Sequence, residues 1–180
     1  SNLLDRAGSD GLQLDGSGVT VLVRDDGLVG PHIDFQGRLQ NLTTDNGADQ
    51  HADGVTGILA GAGNRDPSKQ GMAAGAEIKI ISYASDFQDE TLLLHLGQNV
   101  TLTNTSYSDG CNIGYTFNAL AVDEQIYENP TLMHVFSAGN RGEDDCGYGA
   151  GPIWGTITGG HKMAKNSIAT ANLRQDGTLD

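Results

Sequence analysis

The chain has 180 residues, with 10 basic and 23 acidic side chains that give a formal net charge of −13. Such an acidic chain would repel phosphates, which argues against a nucleic acid as its partner. No apolar run approaches the roughly 20 residues that a membrane-spanning helix needs, so we expect no membrane partner either. The 26 glycines show no period, which argues against a repeat protein and favours one domain with many tight turns.

Strands and helices are predicted to alternate along the chain. Five short apolar or β-branched runs are typical of strands, at residues 19–24, 77–83, 99–106, 132–137 and 167–173. Three segments with apolar residues at helical spacing are predicted helices, one beginning at residue 51 and the others at 90–97 and 118–127. Residues 28–50 are expected to be loop-rich. The alternation indicates an α/β fold, a three-layer sandwich with a mainly parallel central sheet.

The predicted helix that begins at His51 is rich in small residues. Gly54 and Gly57 each cost an isolated helix about 1 kcal/mol relative to alanine, so close packing against a sheet should offset them. By itself, His51 is more readily interpreted as a solvated histidine at a helix start. The polar residues that follow two of the predicted strands favour a chemical role for His51 instead.

Polar side chains follow two of the predicted strands. Asp25 comes directly after the first strand and Asn140 comes after the fourth, while His51 begins a helix. In parallel sheets the active crevice lies beyond the carboxyl ends of the strands. A carboxylate can fix the tautomer of an imidazole, and an asparagine amide can stabilise a developing oxyanion. The three side chains therefore predict acyl transfer, provided that a nucleophile is present.

Four segments in this order resemble the motifs of the subtilase family of serine peptidases. They are Val21–Gly27, Gln50–Gly57, Gly71–Ala76 and Phe136–Gly142, the last containing Ala-Gly-Asn-x-Gly. The resemblance implies a subtilisin-like fold and a serine endopeptidase that cleaves polypeptide substrates and requires no cofactor. It also implies roles for single residues. Asp25 is the expected catalytic carboxylate with Asp26 as a turn residue, His51 is the expected base and Asn140 the expected oxyanion donor.

The sequence departs from the family pattern in two places. Ala52, Asp53 and Gly54 stand where the family has Gly-Thr-His, and Asp53 is expected to help hold a positive imidazole. The nucleophile motif Gly-Thr-Ser-x-Ala-x-Pro does not occur. We therefore expect residues 1–180 to be the N-terminal portion of a single peptidase domain, with the serine supplied by a second chain or by the remaining C-terminal part. The alternative is a catalytically inactive subtilase-like module for binding or assembly. No complete nucleotide-binding fingerprint occurs, which disfavours a nucleotide-binding domain.

The resemblance also indicates where a substrate would bind. One segment corresponds to the family's edge strand, on which a peptide adds as a further strand. A second segment would wall the pocket for the residue before the scissile bond. For the individual side chains of the edge, an ordinary sheet edge is an equally good interpretation. The expected substrate-binding residues are Ser106, Tyr107, Ser108, Ser137, Ala138 and Gly139.

The two cysteines, Cys111 and Cys146, are predicted to form a disulfide. In the expected topology they follow strand ends that should be neighbours, and both lie in polar, glycine-rich loops. Two free thiols are the alternative. A disulfide would indicate an oxidising compartment, so we expect a secreted or extracellular protein.

A possible calcium site is suggested by Asp34, Asn64 and Asp66, which resemble positions of a subtilase calcium site. Carboxylate, amide and carbonyl oxygens are the ligands that Ca²⁺ prefers. A solvated polar loop, in which Asp66 simply turns the chain before Pro67, is the other interpretation.

Overall fold

Six strands and three α-helices alternate in the computed structural model, which describes residues 14–43, 50–83, 87–107, 111, 114–140, 145 and 159–172. The strands are β1 (Thr20–Asp25), β2 (Leu39–Asn41), β3 (Glu77–Ser82), β4 (Val100–Thr105), β5 (Met133–Ser137) and β6 (Ile168–Thr170). The helices are α1 (His51–Ala60), α2 (Phe87–Gln98) and α3 (Phe117–Glu128). The pairings of β1 with β3, β2 with β3 and β5 with β6 are parallel, so the predicted α/β class with a mainly parallel sheet is confirmed. None of the helices in the described ranges is long and apolar enough to cross a membrane.

The contacts divide the chain into two units, Ser1–Thr103 and Asn104–Asp180, and β4 crosses the boundary. In the first unit β3 lies between β2 and β1, with Asp25 opposite Ser82 in the register. Because these three strands are parallel, their carboxyl ends lie at one edge of the sheet. The predicted catalytic aspartate is the last residue of β1 and lies at that edge.

A hydrophobic core fixes α1 on the sheet of the first unit. The strands contribute aliphatic side chains and the helix contributes alanines, which are small enough for close contact. Core members from these elements are Val21, Val23, Ile78, Ile80, Ala52 and Ala60. Burying one aliphatic side chain is worth about 1.5–3 kcal/mol, so this contact holds the start of α1 against the end of β1.

The side of α1 that packs is not the glycine side, and the prediction for Gly54 and Gly57 was wrong. The buried residues of α1 are Ala52, Thr56 and Ala60, spaced four apart. A Cβ placed on Gly54 or Gly57 would meet none of the described atoms within 4 Å. The close approach occurs instead at Gly71, where a Cβ would lie 2.7 Å from the backbone nitrogen of Gly61.

The second unit contains α3, β5 and β6. β5 and β6 are paired from Val135 opposite Ile168 to Ser137 opposite Thr170. The core of this unit includes a histidine: His134 is fully buried, and its Nε2 lies 2.9 Å from the side-chain oxygen of Gln125. A buried polar group of this kind needs such a partner, because an unsatisfied one costs about 1–3 kcal/mol.

β2 was not predicted as a strand, and β6 is shorter than predicted. β2 lies in the segment that was expected to be loop. No apolar run marks this strand in the sequence, and only Leu39 is partly buried. Main-chain bonds hold it: the N–H of Ile78 donates to Arg38 O over 2.7 Å and that of Leu42 donates to Ile80 O over 2.9 Å. β6 is only three residues long, and the end of the predicted strand at residue 173 lies outside the described residues.

Candidate active site

The end of β1 delivers a buried carboxylate. Asp25 follows a run of buried side chains and is itself completely inaccessible to solvent. A buried carboxylate is costly unless charges or hydrogen bonds compensate it. Its environment should therefore show what the carboxylate does.

His51 is the partner of this carboxylate. Its Nδ1 lies 2.6 Å from Asp25 Oδ1, whereas 52% of the His51 side chain remains exposed. A carboxylate oxygen only accepts hydrogen bonds, so Nδ1 carries a proton, and in the neutral imidazole Nε2 is then the basic nitrogen. The structure thus brings the two predicted residues together in the arrangement in which an aspartate orients a histidine base.

The adjacent aspartate has a different partner. Asp26 Oδ1 accepts a hydrogen bond of 3.0 Å from the backbone N–H of Ala52 in the first turn of α1. A carboxylate at a helix start satisfies a free N–H and interacts favourably with the helix dipole. Asp26 therefore anchors α1, which sets the position of His51 relative to β1.

The hydrogen bonds that Asp25 accepts from the described residues are all on one oxygen. Oδ1 accepts from His51, from the Asp26 N–H at 2.8 Å and from the Tyr83 hydroxyl at 3.4 Å. Oδ2 is buried and has no hydrogen-bond partner among the described residues. Burial raises the pKa of Asp25 above its ordinary value, and the bonds from His51 and Asp26 oppose this rise.

Side-chain ligand atoms of Asp25, Asp26 and His51 lie within 4.8 Å of one another, the one such group of three within the part of the chain that the structure describes. Two of the carboxylate oxygens are already used, one by His51 and one by the Ala52 N–H. The group is therefore hydrogen-bonded internally, an arrangement that is compatible with proton transfer through His51.

The sequence model of the Peptidase S8 (subtilase) family matches residues 16–178. The chain belongs to the subtilase family. Among solved structures, it is similar to the "Prenylagaramide maturation protease PagA", with a TM-score of 0.52 and 19% sequence identity. The similarity covers 69% of this chain and 47% of PagA, so the chain spans about half the length of that protein and shares its fold. No curated protein sequence matches the chain.

The residues that the subtilase resemblance assigned to substrate binding lie in the second unit. Ser106 and Tyr107 directly follow β4, and Ser137 ends β5. The Ser137 hydroxyl donates to the backbone oxygen of Tyr107 over 3.4 Å, and the buried Lys162 donates to the same oxygen over 3.2 Å. The structure therefore brings these two segments of the subtilase together, while Ser108 lies outside the described residues.

The segment after β5 carries the expected oxyanion donor. Ala138 is buried, and its N–H donates to Thr170 O over 2.7 Å. Gly139 has a φ of 123°, a backbone conformation that residues other than glycine rarely adopt. Asn140 comes next and is exposed. Its assigned role stays a prediction.

Asp53 does not have the expected partner. Its Oδ1 accepts a hydrogen bond of 2.8 Å from the backbone N–H of Gly30, and the carboxylate bonded to His51 is that of Asp25. Asp53 fixes the loop that follows β1. Adjacency in the sequence suggested a contact with the imidazole, but at a helix start successive side chains point in different directions.

Two of the three expected calcium ligands are close together. Asp34 Oδ1 accepts from the Asn64 N–H over 2.8 Å, and the Asn64 amide donates to Ile33 O over 3.1 Å. Asp66 is engaged elsewhere: its Oδ1 accepts from the N–H and hydroxyl of Ser68 over 3.0 and 2.7 Å. Asp66 therefore caps the short turn Pro67–Lys69, and calcium binding stays a prediction.

Of the two cysteines, Cys111 is described and is exposed, while Cys146 lies outside the described residues. The predicted disulfide stays a prediction. Tyr83, by contrast, was predicted only as the last residue of a strand, and its contact with Asp25 was missed. The register of parallel β1 and β3 is the signal that could have located it, because Tyr83 follows the residue opposite Asp25.

Proposed function

We propose that the protein is a serine endopeptidase in which His51 is the general base and Asp25 orients and stabilises its imidazole. The observation that supports this most directly is the 2.6 Å contact between His51 Nδ1 and Asp25 Oδ1, with the aspartate buried and the histidine half exposed. Asp25 keeps the proton of the neutral imidazole on Nδ1. His51 Nε2 then takes the proton of a serine hydroxyl as it attacks the peptide carbonyl, and Asp25 stabilises the imidazolium that forms.

The attacking serine is proposed to come from a segment outside these 180 residues, either a second chain or a C-terminal part of the same peptidase domain. The Asn140 amide would donate to the oxyanion of the tetrahedral intermediate. His51 would then return its proton to the leaving amine, and water would release the acyl group by the same steps in reverse. No cofactor is required by this chemistry.

The test is peptide hydrolysis and labelling by a fluorophosphonate probe in the full-length protein. His51→Ala and Asp25→Asn should each reduce kcat by about 10⁴-fold, the scale for triad members. Asn140→Ala should reduce it by about 10²–10³-fold, the scale for one oxyanion donor. His32→Ala and Asp89→Asn, which change exposed residues of the same types, are the controls and should retain activity. Full activity in His51→Ala would refute the proposal, and a folded protein that is neither active nor labelled would favour a binding or assembly role.

Polypeptide substrates are proposed to lie along the segments that end β4 and β5. Adding as an edge strand would let the substrate pair its backbone with residues 106–108, while residues 137–139 wall the pocket. The contact of Ser137 with Tyr107 supports this, because it shows that the two segments adjoin within one unit.

A disulfide between Cys111 and Cys146 and a secreted location are proposed together. Closing a loop of this length would contribute about 4 kcal/mol in the chain-entropy model. Counting thiols in the denatured protein, with and without a reductant, tests the pairing. Two reactive thiols without reductant would remove both the disulfide and the argument for secretion.

A further inference from the structure

Tyr83 lies beside Asp25 and His51 and has no role in the proton transfer described above. It directly follows β3, whose last residue, Ser82, is opposite Asp25 in the parallel register. Its hydroxyl reaches Asp25 Oδ1 at 3.4 Å. The register therefore explains how a residue 58 positions away in the sequence contacts the aspartate.

The main chain of Tyr83 is bonded to the strand that carries Asp25. Its carbonyl oxygen accepts a hydrogen bond of 2.7 Å from the Arg24 guanidinium. Arg24 precedes Asp25 on β1, and its guanidinium also lies 5.5 Å from the centre of the Phe87 ring at the start of α2. A charged donor of this kind makes a stronger hydrogen bond than a neutral one. Arg24 thus couples the position of Tyr83 to the strand that carries Asp25.

The hydroxyl of Tyr83 contacts the same carboxylate oxygen as His51. Oδ1 carries every hydrogen bond that Asp25 makes to the described residues, and the buried Oδ2 carries none. Hydrogen bonds concentrated on one oxygen stabilise negative charge there and resist rotation of the carboxylate. A donor on Oδ1 also withdraws charge from the atom that stabilises the His51 imidazolium.

We propose that Tyr83 is a positioning residue that acts on His51 through Asp25, holding Oδ1 toward the imidazole and limiting the basicity of His51. This inference rests on the proposed function for its effect on turnover, but its effect on His51 is independent of any substrate. The distance of 3.4 Å is longer than a usual O–H···O bond, so the effect should be modest in the resting protein. Such bonds are often long in ligand-free enzymes and shorten during reaction.

The variant Tyr83→Phe removes the hydroxyl and keeps the ring. In the full-length protein, the titration of His51 can be followed by NMR of ¹⁵N-labelled histidine, with the signal assigned by its loss in His51→Gln. Without the hydroxyl, Oδ1 carries more charge and stabilises the imidazolium better, so the pKa of His51 should rise relative to the wild type. The acid limb of the pH profile of kcat/KM should shift to higher pH by the same amount as the His51 titration. Because Oδ1 would be held less firmly toward the imidazole, kcat should fall by about 3- to 10-fold.

Tyr127→Phe is the matched control, because Tyr127 is 84% exposed on α3. A role limited to packing would lower the thermal midpoint without moving the His51 titration, so both quantities are measured in both variants. An identical His51 titration in Tyr83→Phe and the wild type would overturn the proposal. A shifted titration in a protein without peptidase activity would support the Tyr83 contact and refute the protease instead.

Discussion

Acidification should destabilise the second unit through His134. This side chain is fully buried, with its ring stacked 6.0 Å from that of Phe136 and its Nε2 bonded to Gln125. Burial, with a smaller contribution from the charge of His161, lowers the pKa of His134 from 6.5 to about 4. In the unfolded chain His134 therefore binds a proton below about pH 6.5, whereas in the folded protein it binds one only near pH 4 and below.

The sign and size of the effect follow from this difference. Because the folded pKa is depressed, the contribution is fully present above pH 6.5 and is lost as the pH falls from 6.5 through about 4. A difference of 6.5 − 4, or 2.5 units, corresponds to about 3 kcal/mol of the free energy of unfolding. This is a substantial share of the 5–15 kcal/mol that is typical of a folded domain.

The assay is urea unfolding of the full-length protein between pH 8 and pH 4, with His134→Gln as the test variant. Glutamine can still donate to the Gln125 oxygen but does not titrate, so the variant should lose about 3 kcal/mol less than the wild type over this range. His32→Gln, at an exposed histidine, should keep the wild-type pH dependence. Equal pH dependence in His134→Gln and the wild type, or a His134 imidazole that is protonated at pH 5.5 by NMR, would refute the reasoning.

Three further predictions concern stability. Asp123 accepts hydrogen bonds of 2.7 to 3.0 Å from two backbone N–H groups and a tyrosine hydroxyl. Asp123→Asn should therefore lower the free energy of unfolding, measured by calorimetry, by about 1–3 kcal/mol. Glu124→Gln, on the exposed side of α3, should leave it unchanged. Gly71→Ala should lower the free energy of unfolding by about 1–3 kcal/mol, because the added Cβ would meet backbone atoms. Gly57→Ala should be neutral or stabilising by up to about 1 kcal/mol. A Gly71→Ala protein that is more stable than Gly57→Ala in urea unfolding would contradict the packing described. If calcium binds, a chelator should lower the thermal midpoint of the wild type and affect Asp34→Asn less; equal midpoints with chelator and with added calcium would exclude the site.

The pair Asp25 and His51 was predicted from two signals together: each lies at an end of a patterned element, and the surrounding motifs resemble those of subtilases, which decided between Asp25 and Asp26. An apolar run fixes where β1 ends, and the helical spacing after His51 fixes where α1 begins. The partners of these residues were less predictable. The contact of Tyr83 with Asp25 depends on the register of two strands, and the partner of Asp53 depends on the direction of a side chain at a helix start. Neither can be read from the sequence alone. β2 was missed for a related reason, since main-chain bonds hold it without an apolar pattern.

The unequal burial of Asp25 and His51 has a consequence for chemical modification. A carbodiimide that activates carboxyl groups must reach its target from solvent, and Asp25 is completely covered. Such a reagent would consume the exposed acids of the surface and leave this aspartate intact. An acylating reagent for imidazole, such as diethyl pyrocarbonate, meets a side chain that is 52% exposed, so it would reach His51 far more readily than a carbodiimide reaches Asp25. Of the two residues, the histidine is therefore the one that covalent reagents modify, while the buried aspartate is protected.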